Sequence, residues 1–503
     1  MRNQSRRRKA DSRGPGERLR SAVRAPWLET ALTLILFAYV PFEKVFKKVF
    51  RFKNYYFITC FVGLLLLVVV LERLREQKRR PPLELWLLGG NAAWMVFTRL
   101  LLGHMQINLG SDAPALWALT CVSVFAFAFY LEGERRERVL DGLLTGFWAL
   151  HLVLAVLGIL TVLFGNLPVV SAVVSLRTEN GVPPLTFLSF LRVHRNIACG
   201  FFYAALAMAV LQFLRHRTAF WRWAAAASVP IFYVVISLQH CRSIFLTTSA
   251  YLALVIGMAV QERLERRGVW LRLVCVGLVS AVCTAVLFVG FGRCSDAVVS
   301  LAESLAQRRA VVLTPVSEQA GPEALTAQLS ASALTPEPPA PEQQVQISDQ
   351  RDTLEDARTL TGRTEIWEAM VRAIRAKPRI ALLGTDETKM MKLIQRYGPE
   401  DPKKHLHHVL FQQLMTAGVP SFLLCLGYLA LLLFRSARCF LELGAQAAER
   451  RGLAALLLPM MLIYGSFEPL MSYHSKVMTL VFLLCAGLLV RQDMEARERG
   501  GRS

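Results

Sequence analysis

The sequence predicts an all-α, polytopic membrane protein of about twelve transmembrane helices with one large extracytoplasmic loop. Three observations predict it. First, the 503 residues are 54% hydrophobic and only 19% charged, with a mean hydropathy of +0.39, a balance unlike that of a soluble domain of this length. Second, the apolar residues fall into long runs near the roughly 20 residues that a helix needs to cross about 30 Å of hydrocarbon. Third, short basic clusters separate those runs.

In chain order, residues 1–25 form a basic, polar tail. The apolar run after it lacks a small-residue cleavage site, so it reads as a retained anchor rather than a cleaved signal. Apolar runs at about 27–42, 55–72, 83–102, 114–131, 142–164, 196–214, 219–238, 243–260 and 269–290 make a membrane domain of about nine spans, 26–290. Three more, at 408–434, 452–467 and 475–490, make up the segment 408–490, and 491–503 is a second tail. The first run and the last two are short, which leaves eleven as the other count.

The net charge of +21 raises a nucleic-acid reading. The basic residues instead concentrate in the tails and in 72–82, 132–141, 215–222, 261–272 and 435–451, as cytoplasmic anchoring predicts. Both termini are therefore expected in the cytoplasm, with the lipid bilayer as partner and no nucleic acid. The segment 43–54, with five basic residues, runs against this bias.

The same parity puts 291–407 outside. Residues 291–313 continue as a helix, and 314–350 are rich in Pro, Ala, Glu and Gln, a composition that cannot bury a core and reads as a disordered insert. A helix over about 362–377 follows. Its apolar stripe is Ile366, Trp367, Met370, Val371 and Ile374, with Thr361 as N-cap, Glu365 in the first turn and Pro378 at the end.

Four constellations carry chemistry. In "TGRTEIW", Arg363 either snorkels from an amphipathic helix or grips a phosphate with its planar fork. In "SLQHCRSIF", Arg242 sits in a tight turn between two apolar runs and reads equally as a headgroup anchor or a phosphate clamp. In "RVHRNIACG", Arg192, His194, Arg195 and Asn196 make a compact cationic patch or an interfacial anchor. In "KKHLHHVLFQQLMTAGVP", His405, His407 and His408 precede a span. Glu400 and Asp401 would be needed to complete a metal site there, and a general base suits a histidine at a membrane edge better.

There is no D-x-D pair, P-loop or Rossmann glycine fingerprint, so no cofactor or nucleotide-sugar donor is expected. Ten cysteines show no C-x-x-C pair and no zinc spacing, and no metal is assigned. Mid-span carboxylates are scarce, which argues against an ion-coupled transporter. The best exception is Glu468, in "YGSFEPL" at the end of the eleventh run.

These elements resemble the O-antigen ligase and polymerase superfamily, the WaaL-type and Wzy-type membrane glycosyltransferases. Gly362, Arg363 and Trp367 match G-R-x-x-x-W at the start of a loop helix. His407, eleven residues before Gly418, matches a following H-N-x-x-L element, with His408 for the usual Asn and Phe411 for Leu. "CRS" at Arg242 is similar to an S-R-x turn, "HRN" at 194–196 to H-P-N, and "FEP" at 467–469 to a C-terminal element of some members. The similarity covers roughly 190–475.

The resemblance implies a GT-C-like helical fold in the cytoplasmic membrane, active on its outer face. It implies metal-independent transfer from a polyprenyl-diphosphate-linked glycan donor to the hydroxyl of a glycan or lipid-glycan acceptor. His407 would be catalytic, Arg242 and Arg363 would bind the diphosphate, and Arg195, Asn196, His194, His408 and Glu468 would belong to or border the site. The rival reading is a transporter or flippase of lipid-linked oligosaccharide, which predicts a polar path through two related halves. A scaffold of an envelope complex would scatter these residues instead.

Overall fold

The computed structural model describes residues 28, 31–37, 56–77, 80–102, 113–131, 133–164, 195–215, 218–239, 241–313, 363–398, 406–444, 447–472 and 475–500. These residues are helical almost throughout, with no strand among them. Residues 31–37 are helical. The helices that follow are α1 (Tyr56–Gln77), α2 (Leu83–Leu101), α3 (Ala113–Tyr130), α4 (Gly133–Phe164), α5 (Arg195–Arg215), α6 (Ala219–Leu238), α7 (Arg242–Arg263) and α8 (Val269–Leu313). Then come α9 (Arg363–Ala376), α10 (Arg379–Leu383), α11 (Glu387–Tyr397), α12 (Val409–Leu441), α13 (Ala448–Pro459) and α14 (Lys476–Gly500).

Among the described residues, seven helices are long and apolar enough to cross a membrane: those at 139–160, 198–215, 219–238, 242–263, 269–302, 409–441 and 476–499. They coincide with seven of the twelve predicted runs. The runs at 55–72, 83–102, 114–131 and 452–467 also lie on helix, in α1, α2, α3 and α13 with its continuation.

The centre of the bundle is α14, whose apolar window is 94% buried, against 6% for α8. It packs on α3, α5, α12 and α13. The neighbouring α5 carries Ala204, Ala205, Ala207 and Ala209, all fully buried. Small side chains let helix backbones approach closely where no hydrophobic gain separates protein from lipid. The outlying α8 packs along one side on α7, α6 and α4 and leaves Val274, Leu278, Val282 and Val286 exposed, as a lipid-facing helix does.

One end of the bundle is tied by ion pairs. Asp493 of α14 is buried and accepts from Arg435 and Arg438 of α12, and Arg435 also reaches Glu84 of α2 at 2.7 Å. Arg451, fully buried, meets Glu262 at 2.7 Å, and Arg215 meets Asp141 and Glu449 at 3.1 Å each. Buried charges persist when paired and hydrogen-bonded. The tail expected at 491–503 is helical as far as Gly500, with Asp493 paired to α12 and Gln492 bonded to Glu449 of α13 at 2.8 Å.

The opposite end carries the loop helices. Ile366, Ala369, Met370 and Ala373 of α9 form a small core with Ile380, Met390, Ile394, Leu406 and Met415. Trp367 and Ile374 pack against it, whereas Val371, predicted in the stripe, is 41% exposed. The expected cap Thr361, the motif residue Gly362 and the insert 314–350 lie outside the described residues. Two further helices, α10 and α11, were not predicted: α10 has five residues, and α11 is short and amphipathic.

The loop unit docks on a kink in α12. Pro420 lacks the N–H that would bond the Thr416 carbonyl, and Gly418 takes φ 80°. Outside donors take the carbonyls around the kink. Thr385 N donates to Met415 O at 2.8 Å, Arg99 Nη2 to Thr416 O at 3.2 Å, and Trp94 Nε1 to Ala417 O at 2.7 Å. A Cβ at Gly418 would overlap the Leu382 carbonyl of α10, and one at Gly384 would overlap the backbone of α12. Both positions therefore need glycine, for space and for positive φ.

Candidate functional site

Three segments distant in sequence meet at the loop end of the bundle: the start of α9, the residues before α12, and the turn after α13. Each is positioned by local rules. Past Pro459, residues 460–464 form a π-helical turn, a widening frequent at functional sites. Gly465–Phe467 complete it, and Glu468 then leaves the helix with extended backbone, its N–H bonded to Tyr464 O at 2.7 Å. The carboxylate is buried.

His407 is held between two anchored neighbours. Trp367 Nε1 donates to Leu406 O at 2.8 Å, and Leu406 N donates to Gln412 Oε1 at 3.2 Å. His408 is the N-cap of α12, its Nδ1 accepting from Leu410 N at 3.2 Å and Phe411 N at 3.5 Å. Between them His407 adopts φ 53°, a left-handed conformation uncommon outside glycine. Such residues cost energy and cluster where geometry serves a function.

Glu468 lies between two nitrogen groups. Its Oε1 is 3.6 Å from Arg363 Nη2 and its Oε2 is 3.6 Å from His407 Nδ1. These spacings are long for hydrogen bonds, so the pairs are electrostatic. The Arg363 guanidinium also lies over the Phe467 ring, 5.3 Å from its centroid. Burial pulls Arg363 below its ordinary pKa, while Glu468 and Cys241 pull it back up. An arginine stays charged under such shifts, so the site holds a poorly solvated cation.

Arg242 opens α7 with its side chain exposed. Its neighbour Cys241, the N-cap, lies 3.6 Å from the Ser243 hydroxyl and close enough to Glu468 and Arg363 to interact electrostatically with both. The positive end of α7 therefore borders the same site. Arg195 and Asn196 form the first turn of α5, and their side chains lie outside the described residues, as do His194 and His405. His408, a candidate neighbour by sequence, packs on Trp367 and stacks on Phe411 at 4.3 Å. Its function is to cap a helix, and burial holds its imidazole below the ordinary pKa.

Sequence reasoning missed Arg99, a fully buried arginine of α2 that bridges Thr385 O at 3.1 Å and Thr416 O. A cation within an apolar run was the available signal. At the opposite end of the bundle Cys439, Glu442 and Asp493 come within metal-ligand range of one another. Their carboxylates are engaged by Arg435, Arg438 and Arg450, so arginines supply the positive charge there.

Arg363, Glu468 and His407 together can bind an anionic group, orient an imidazole and move a proton. No protein-family model matches the chain, and no curated protein matches it.

Proposed function

We propose that the chain is a membrane glycosyltransferase that transfers or polymerises glycan from a polyprenyl-diphosphate-linked donor onto an acceptor hydroxyl. The observation that carries the reading is the convergence of Arg363, Glu468 and His407 from three separate segments at one end of an apolar bundle. In this reading the bundle is GT-C-like with about twelve spans in the cytoplasmic membrane, both tails are cytoplasmic, and the site faces outward.

The chemistry follows from the groups present. Glu468 faces Nδ1 of His407, which favours the tautomer with its proton on Nδ1 and leaves Nε2 as the base. Nε2 takes the proton of the acceptor hydroxyl as that oxygen bonds to the anomeric carbon. The bond from that carbon to the diphosphate oxygen breaks, and the leaving electron pair stays on the diphosphate. Arg363, with Arg242 at the start of α7, stabilises that charge. Bound diphosphate competes with Glu468 for the Arg363 fork, 3.6 Å from the carboxylate.

The test uses the purified full chain with a polyprenyl-diphosphate-linked oligosaccharide and an acceptor glycolipid, with and without chelator. Transfer that survives chelator and is lost in His407→Ala supports the reading. Wild-type turnover by His407→Ala refutes it. Accumulation of unmodified donor across a sealed vesicle membrane without transfer would favour the flippase.

A further inference from the structure

The loop unit has a face that the site does not use. On α9, Arg372 and Arg375 lie on the side away from Ile366, Met370 and Ala373, and on α11 Lys389, Lys392 and Arg396 lie away from Met390 and Ile394. All of these cations are exposed, as are Lys377 and Arg379 between the two helices. Arg372 is 3.9 Å from Glu368, and Lys389 is 3.1 Å from Asp386. Arg375, Lys377, Arg379, Lys392 and Arg396 have no acidic partner among the described residues.

A basic face can be simply hydrated. The level of this one in the bundle sets it apart. Helix α10 rests on the kink of α12, with the Ala381 and Leu382 carbonyls against Gly418. The next residues on one side of α12, Val419 and Leu423, are 40% and 56% exposed. On α2, Arg99 bonds the Thr385 carbonyl just past α10, and the Leu100 and Leu101 that follow it are also exposed. Since α12 is long and apolar enough to cross a membrane, these side chains mark where lipid contact begins. Trp94, a residue type frequent at that border, donates to Ala417 O at the same level. Leu382 of α10 is itself 58% exposed there, three residues beyond Arg379. An exposed leucine at the edge of hydrocarbon with cations beside it fits a segment lying in the headgroup layer.

We propose that α9, α10 and α11 form an interfacial unit that docks on anionic phospholipid headgroups. Leu382 enters the edge of the hydrocarbon, and the cations without acidic partners meet lipid phosphates. Charge complementarity selects the lipid, because a zwitterionic headgroup brings its own ammonium and an anionic one does not. A soluble polyanion would satisfy the cations but leave Leu382 in water. The inference stands apart from the glycosyl-transfer reading and holds on either side of the membrane. It bears on the site because Arg363 opens α9 and Trp367 of the same helix holds the Leu406 carbonyl beside His407.

The experiment places the full chain in nanodiscs of phosphatidylcholine alone and of equal parts phosphatidylcholine and phosphatidylglycerol. Hydrogen exchange along 371–398 is followed by mass spectrometry. The mixed discs should slow exchange there by about fivefold or more, the effect of one cation at an anionic surface. Molar salt, which shortens the screening length to about 3 Å, should reverse the slowing. Arg375→Gln, Lys377→Gln and Arg379→Gln combined should remove it, and Leu382→Asn should reduce it, with exchange in the neutral discs unchanged. The proposal is overturned if exchange is the same in both discs, if it slows equally along the whole chain, or if the triple variant keeps the slowing. It is also overturned if dextran sulfate added to neutral discs protects 371–398 and phosphatidylglycerol does not, which would assign the face to a soluble polyanion. If the triple variant exchanges faster than wild type in neutral discs, the salt response of wild type decides, and protection insensitive to salt overturns the proposal.

Discussion

Oε2 of Glu468 lies 3.6 Å from Nδ1 of His407, although 61 positions separate the two residues in the chain. The other carboxylate oxygen faces Arg363, so a single buried acid couples the base to the cation. His407→Ala should lower kcat by about 10²–10⁴, the range for a positioned base. Glu468→Gln should lower it by up to about 10⁴, the loss when the acid that orients a general-base histidine becomes an amide. The double variant should be little worse than His407→Ala alone, since the carboxylate acts through the imidazole. Steady-state kinetics of the three proteins checks this, and losses that multiply would separate Glu468 from His407.

Arg363→Lys should be nearly as damaging as Arg363→Ala. A lysine keeps the charge but loses the planar fork, which on the proposed reading grips two phosphate oxygens, and its place over the Phe467 ring. Polyprenyl-diphosphate binding by the two variants in nanodiscs measures it, and full binding by the lysine variant would reduce Arg363 to a point charge.

Gly418→Ala should unseat the loop unit. The new methyl group would meet the Leu382 carbonyl, and φ 80° is strained for alanine. A loss of about 2 kcal/mol or more fits a strained and crowded position. The readouts are a lower thermal midpoint and faster proteolysis between 363 and 398, set against Gly89→Ala, where a Cβ meets open space.

Much of this was legible in the sequence. Apolar runs and basic clusters give the helices, because a bilayer leaves the backbone few alternatives. His407 and Glu468 were singled out beside apolar runs and Arg363 at the start of the amphipathic loop helix, and they meet. The link between them was not legible, because ion pairs across 61 and 105 positions leave no periodicity. The kink was legible only as a glycine and a proline in a helical pattern. Its satisfaction by Trp94, Arg99 and Thr385 depends on which helix ends up adjacent. Asp493 read as part of a polar tail because its partners, Arg435 and Arg438, lie more than 50 positions away on α12.

The orientation predicted from charge puts the insert outside the cell. Thr335→Cys should react with a membrane-impermeant maleimide in intact cells. Reaction only after permeabilisation would invert the topology and remove the outward-facing site with it.

The last expectation concerns His408, where the family that this chain resembles carries asparagine. As N-cap, its Nδ1 must accept hydrogen bonds from Leu410 N and Phe411 N, which only the neutral ring can do. Burial holds its folded-state pKa below the ordinary value of 6.5. The sign of the pH effect follows. Above about pH 6.5 the ring is neutral folded and unfolded, and the cap is intact. As pH falls through 6.5 toward the depressed folded value, the unfolded chain takes up the proton first, and stability is lost. His408→Asn keeps an acceptor that does not titrate, so it should hold its stability near neutral pH and flatten the acid loss. His408→Ala should lose about 1 kcal/mol at neutral pH, the usual worth of a cap, and less than that relative to the natural chain as pH falls. Thermal unfolding of the three proteins between pH 5 and 7.5 reads the difference. An acid loss equally steep in His408→Asn would assign the pH dependence to another group.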